Sequence, residues 1–499
     1  MAITMKSRLN IVLITTDQHR GSCFGFEGCA VKTPHIDSMA RSGLRFSTCM
    51  TPSPICQPAR ASILTGLYPK THGVRDNGID LDEQVGTGGF GGQLAQAGYM
   101  TGLIGKGHFS TYETFAATGR PENRLSEARY KYDWNGPYMG FQHVELLQHY
   151  DQWLDLDGHG AEKRRLMKEQ LGPEVGAART WHSALPVAWH QSTWTGNQAV
   201  RFIDTHAHHP FVLWASFADP HVPFNAPEPW SRMYDPESVE LPPHRKLDLD
   251  HRPWWHRASL EGQPGIVDPA MRLTRETMSR LPPQSDLQLR HITANYWGMI
   301  SLIDHNIGRI LIRLQELGLM DKTIIVFTSD HGEYLGDHGL LLKGPMHYES
   351  LLRVACVFNG PGIPQGRIVE EPVSTMDLAA TFLDFAGLAT RPDMHGRSLR
   401  GLINGDGTHR EFTYSEWELG VERCGVALDL ATVRTKRHKL TIERQSGAGE
   451  LYDLEVDPYE MVNIFNDPKA EGLTARLMAL IQCRPNDAKN PPDPVVGMA

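Results

Sequence analysis

The sequence has 499 residues, 40% hydrophobic and 21% charged, with a net charge of −9. This is the composition of a globular chain too long for one core, and its acidic balance argues against a nucleic-acid surface. No run reaches the ~18 apolar residues of a bilayer span, and the apolar run at residues 11–14 is too short for a secretory signal. Seven cysteines, Cys23, Cys29, Cys49, Cys56, Cys356, Cys424 and Cys483, show no C-x-x-C spacing. They predict a reduced, cytoplasmic protein with free thiols.

In chain order, residues 10–17 are a β-branched apolar run ended by a carboxylate. The run reads as a buried strand of a parallel sheet, with Asp17 at its carboxyl end. Sites of open α/β sheets lie off such ends. Thr33 to Asp37 starts a helix carrying Met39, Ala40 and Leu44. Pro34 takes an initial position and Asp37 complements the dipole, so His35 and Asp37 belong to a helix start rather than a metal site. Residues 91–105 repeat the helix–strand rhythm and lead to Lys106 and His108. Residues 211–217 form another buried strand, followed by Asp219-Pro220-His221.

Ile300, Ile303, Ile307, Ile310, Leu311 and Leu314 set a helix over 291–317, closed by Gly318. Residues 323–329 are a strand that delivers Asp330 and His331. Strand and helix alternate over roughly 400 residues, which predicts an α/β fold: a large, mostly parallel sheet sandwiched by helices. Residues 224–290, rich in Pro, Trp and charge, read as loops and short helices over the sheet's active end. Seven of the eleven tryptophans lie between Trp181 and Trp255 and pack these insertions, with some left to line a pocket. The expected division is a catalytic domain over 1–405, with an insertion at about 115–290, and a smaller C-terminal α+β subdomain over 406–499. In the latter, 431–435 and 438–442 read as antiparallel strands, 470–482 as a last helix and 485–499 as an irregular Pro-rich tail. That tail is the one feature pointing to a homo-oligomer.

The chemistry centres on Cys56-Gln57-Pro58-Ala59-Arg60, continued by Leu64-Thr65-Gly66. This stretch resembles the signature of the formylglycine-dependent sulfatases of the alkaline phosphatase superfamily, in which the cysteine is oxidised after translation. The resemblance implies an alkaline-phosphatase-like fold and hydrolysis of sulfate monoesters, aryl or small alkyl. A formylglycine-generating maturase would be the transient partner and a small-molecule sulfate ester the substrate. The hydrated aldehyde would supply one hydroxyl to attack sulfur and a second to expel the sulfate, which a plain serine could not do.

Two strand-end pairs, Asp17-Gln18 and Asp330-His331, can converge at one sheet edge and suit one divalent metal ion. The commonest sulfatase pattern has Asp-Asp and Asp-Asn there. Losing a carboxylate and gaining an imidazole shifts the balance from calcium towards manganese and leaves both open. Asp17, Asp330, His331 and the modified Cys56 form the expected shell, with Gln18 ligating the metal or touching substrate. Gly105-Lys106-Gly107-His108 resembles the family's Gly-Lys-x-His, with Gly107 where tryptophan is usual. Pro220 to Pro223 and Gly336 to Gly344 resemble two further segments.

By this resemblance Lys106 and Lys343 hold sulfate oxygens and Arg60 holds the formylglycine. His108 is the base that triggers sulfate release, and His221 serves the leaving-group oxygen, alone or with Lys343. Asn77 is a substrate contact or simply half of an Asn-Gly turn. His338, His347 and Glu349 are candidates to surround Lys343. Residues 450–463 resemble a sulfatase C-terminal segment and carry no catalysis.

A second function fits the same motifs: a phosphonate monoester or phosphodiester hydrolase with the same nucleophile. Asp17-Gln18 and Asp330-His331 lean towards it, Lys106 and His108 towards a sulfatase. Promiscuity is expected of a site built for a tetrahedral oxyanion. A non-catalytic binding protein is opposed by the intact Cys56 and the full ligand set.

Overall fold

The computed structural model describes residues 8–130, 134–147, 158–265, 281–406 and 410–498, together with Leu154, Pro269, Arg272 and Leu273. Parts of the segment expected to be loops over the sheet (266–268, 270–271 and 274–280), and Gly407 and Thr408 at the expected domain boundary, lie outside the described residues.

The main sheet contains β1 (Asn10–Thr16), β2 (Leu44–Met50), β3 (Met100–Gly105), β4 (His143–Leu146), β5 (Phe211–Ser216), β6 (Thr323–Ser329), β7 (Arg353–Asn359) and β8 (Arg367–Val369), and a short ninth strand, Val373–Ser374, pairs parallel with β2. Strands β1 to β8 lie in the order β8-β2-β7-β6-β1-β5-β3-β4. Every pair is parallel except those of β7, which runs antiparallel to both β6 and β2. The fold is the α/β sandwich that the strand–helix alternation predicts, with one reversed strand.

Period-two alternation along the central strands explains why both faces are covered. Ile11, Leu13, Trp214, Ile324 and Val326 pack against α2 (Cys56–Thr65), α3 (Phe90–Gln96) and α6 (Asp377–Phe385). Val12, Ile14, Leu213, Ala215, Ile325 and Phe327 face α1 (Pro34–Ser42), α4 (Gln191–His206) and α5 (Asp286–Glu316). Trp214 and Trp255 are wholly buried.

Two local readings need correction. Leu44 is not on α1: the helix ends at Ser42, and Leu44 opens β2 after Gly43. Helix α5 starts at Asp286 rather than near 291, because Ser285 and Gln288 form a capping box. The Ser285 side chain accepts the Gln288 amide at 3.3 Å and the Gln288 side chain accepts the Ser285 amide at 2.9 Å. Ser285→Ala is expected to lower stability by about 1 kcal/mol, read as a shift of the urea midpoint at constant slope. At α1, Asp304 of α5 accepts the amides of His35 and Ile36 at 3.1 and 2.8 Å. Asp37 holds Phe26 and Thr33, both at 3.0 Å.

The C-terminal sheet is antiparallel in the order β9 (Phe412–Leu419), β10 (Leu428–Thr435), β11 (His438–Glu443), β12 (Gly449–Asp453). Helix α7 (Glu471–Ile481) covers it through Leu477 and Ile481. The tail is not simply irregular. Gly497–Met498 pairs antiparallel with Glu113–Thr114, and the Val496 amide donates to the Gly78 carbonyl at 2.8 Å. Since the tail packs on its own chain, it supplies no argument for a second copy. All seven cysteines are free, and no helix among the described residues is long and apolar enough to cross a membrane.

Candidate active site

Strand register builds the site. Thr16 pairs with Ser329 across the β1–β6 ladder, so the next residues, Asp17 and Asp330, emerge side by side, both wholly buried. Gln18 turns the chain in the left-handed region, φ 61°, and its amide donates to Asp330 Oδ1 at 3.0 Å. Cys56 is the first residue of α2. Its Sγ lies 3.5 Å from Asp17 Oδ1 and 3.1 Å from His331 Nε2.

Asp17, Cys56, Asp330 and His331 form one buried group whose ligand atoms all lie within 4.8 Å of one another. His331 Nδ1 sits 2.9 Å from the Gly332 carbonyl. A carbonyl only accepts, so Nδ1 carries a proton and Nε2 is aimed at the group, as metal-ligating imidazoles are held. Two carboxylates and an imidazole fit a divalent cation of mixed oxygen and nitrogen preference. The sulfur marks where the oxidised side chain would stand.

Cations ring this group. Arg60 is fully buried; its Nε donates to Asp330 Oδ2 at 2.8 Å, and Nη1 donates to the Lys106 carbonyl at 2.9 Å and Ser216 Oγ at 2.7 Å. Lys106 follows β3 and pairs with Asp17. Lys343 Nζ lies 2.9 Å from Cys56 Sγ, 3.1 Å from His221 Nε2, 3.2 Å from Gln18 Oε1 and 3.4 Å from His331 Nε2.

The electrostatics follow from this ring. Burial opposes the Asp17 charge, but Lys106, His221, Arg60 and Lys343 outweigh it and hold the carboxyl well below its usual value. Burial and Asp17 push the Cys56 thiol up, yet Lys343, Lys106 and His331 bring it below its ordinary value. The site is thus poised for negative charge.

The other expected residues divide. His221 Nδ1 lies 2.8 Å from the Val222 carbonyl, which directs Nε2 to Lys343. His108 is buried, with φ 58°. Asn77 is part of an Asn-Gly turn with a purpose: its Oδ1 accepts the Gln57 amide at 3.0 Å, holding the first turn of α2. Gly78, at φ 97°, donates to Gln57 Oε1 at 2.8 Å. His338, His347 and Glu349 bond elsewhere: His338 stacks on Tyr348, His347 bonds Thr432 at 2.7 Å, and Glu349 pairs with Arg434.

Glu333 went unnoticed in the sequence. Wholly buried, it accepts the Gln18 side chain and the amides of Leu335 and Leu342, tying the Asp17-Gln18 turn to the loop that carries Lys343. Its place two residues after His331 is the only signal it gave.

The candidate metal-binding group at the carboxyl ends of a mostly parallel sheet, beside a C-terminal antiparallel sheet, is the arrangement of the alkaline-phosphatase-like hydrolases. The sulfatase family model matches residues 9–388, and the model described as N-sulphoglucosamine sulphohydrolase, C-terminal, matches residues 336–485. The chain belongs to the sulfatase family of that superfamily. It is 30% identical to an arylsulfatase of Clostridium perfringens, over 92% of this chain and 90% of that protein. It is 28% identical to the multifunctional alkaline phosphatase superfamily protein PehA of Trinickia caryophylli, over 93% and 92%. Among solved structures it resembles the phosphonate monoester hydrolase of Agrobacterium radiobacter, with TM-score 0.76, 26% identity and 95% of each chain covered.

Proposed function

We propose that this chain hydrolyses sulfate monoesters, aryl or small alkyl, with Cys56 converted to formylglycine by a maturase and one calcium or manganese ion bound. The observation that carries this reading is Lys343 Nζ at 2.9 Å from Cys56 Sγ and 3.1 Å from His221 Nε2, beside the buried group of Asp17, Asp330 and His331. Formylglycine, when hydrated, supplies a hydroxyl to attack sulfur and a second whose deprotonation expels the sulfate. Asp17, Asp330, His331 and residue 56, with Gln18 alongside, would hold the metal, which would supply Lewis-acid polarisation of the ester.

The chain's own groups do the rest. Lys106 and Lys343 bind sulfate oxygens and stabilise the charge that grows on them. Lys343 gives a proton to the departing oxygen, directly or through His221 Nε2, and His108 receives the proton of the release step. Arg60 holds Asp330 and the residue-56 turn. Asn77 fixes the start of α2 and borders the substrate. The likeness to a phosphonate monoester hydrolase and to a multifunctional relative supports side activity on phosphonate and phosphate esters.

The test is the ratio of kcat/KM for an aryl sulfate to that for an aryl phosphonate monoester on one metal-loaded preparation. A ratio well above one is expected. A ratio well below one moves the assignment to phosphonate or phosphodiester hydrolysis.

A further inference from the structure

Glu122, in the insertion after β3, is 2% exposed, yet among the described residues no cation is one of its hydrogen-bond partners. It is wrapped instead by neutral donors. Its carboxylate accepts the consecutive amides of His108, Phe109 and Ser110, the last two at 2.8 and 2.7 Å. It also accepts the hydroxyls of Ser110 at 3.2 Å and Tyr138 at 2.9 Å. Burying a carboxylate is unfavourable unless its oxygens are bonded, and here one side chain gathers a whole loop in return.

That loop carries chemistry at its start. Lys106, just before it, pairs with Asp17. His108 within it holds φ 58°, a conformation L-residues adopt only when their surroundings impose it. The amide of His108 points at Glu122, which supplies that imposition. Gly107 completes the fit: a Cβ there would collide with the Glu122 carboxylate and touch Leu146 at 3.3 Å. The space that would receive a side chain at residue 107 is the space Glu122 fills.

We propose that Glu122 is a positioning residue of the hydrolytic reaction, acting through the loop of residues 107–110 to fix His108 beside Lys106. The proposal rests on the sulfate ester hydrolase reading for the role of His108. Glu122→Gln keeps the volume but sets an amide donor against backbone donors, so the loop relaxes. Glu122→Asp keeps two accepting oxygens on a shorter stem. Gly107→Ala keeps the glutamate in the sequence, but its Cβ displaces the Glu122 carboxylate from the loop.

The experiment has two readouts on folded, full-length protein, with folding checked by circular dichroism. In steady-state hydrolysis of an aryl sulfate, Glu122→Gln and Gly107→Ala are expected to lower kcat about 100-fold with KM changed less than about threefold, and Glu122→Asp to recover about tenfold of the loss. In diethyl pyrocarbonate labelling mapped by peptide mass, His108, 1% exposed, should stay unmodified in the parent and react in Glu122→Gln. Parental kcat with His108 still protected in Glu122→Gln overturns the proposal, as does a loss that Glu122→Asp does not relieve while His108 stays protected. A parent that hydrolyses no sulfate, phosphonate or phosphate ester overturns the functional reading instead. The labelling then still decides whether Glu122 holds the loop.

Discussion

Cys56→Ser is expected to lower turnover of an aryl sulfate by about 10⁴-fold or more, while urea unfolding changes by less than about 1 kcal/mol. The stability half follows from size and setting. Serine is smaller than cysteine and can still bond Lys343 Nζ, which lies 2.9 Å from the sulfur. The activity half follows from chemistry. A serine hydroxyl can accept the sulfuryl group but has no second hydroxyl on its carbon with which to expel it. One equivalent of leaving group should therefore appear without turnover, and the peptide containing residue 56 should carry sulfate. Parental turnover by the serine variant would rule out the aldehyde route.

Asp330→Ala should abolish activity and also cost about 3–5 kcal/mol of stability, because removing one member of a buried ion pair strands the other. Arg60 and Asp330 are both wholly buried, with Nε 2.8 Å from Oδ2. The carboxylate also accepts the amides of Gln18 at 3.0 Å and His331 at 2.8 Å. Asp330→Asn keeps an acceptor for these amides and should recover part of the stability without the activity. Denaturant titration of the three proteins measures this directly. A loss below about 1 kcal/mol in the alanine variant would mean that Arg60 has another anionic partner.

What was legible in the sequence was local and repeated. Residues 10–17 and 323–330 are each an apolar run ended by a carboxylate, and that pattern alone places Asp17 and Asp330 at strand ends. The alternation of such runs with helices announced the sandwich. Position within a short motif marked Cys56, Lys106, His221 and Lys343. The reversal of β7 was hidden, since a buried strand reads the same in either direction. Glu122 and Glu333 were hidden too, because each is a single carboxylate whose partners are mostly backbone amides. Periodicity carries no trace of such bonds. Asp304, which caps α1 from 268 residues away at Ile36, was invisible for the same reason: its partner is set by packing, not spacing. The start of α5 could have been read, since Ser285 and Gln288 stand at capping-box spacing.

The burial of α2 has a consequence in time. Every residue of that helix is buried, with Cys56 1% exposed. An enzyme that must grasp the chain around residue 56 has access only before the sheet closes over it. The neighbours of β1 arrive late: β5 begins at Phe211 and β6 at Thr323. On a ribosome that makes ~5–20 residues per second, about 270 residues follow Cys56 before Asp330 can meet Asp17. That long contact order leaves the cysteine reachable for tens of seconds during synthesis, and then shuts it away.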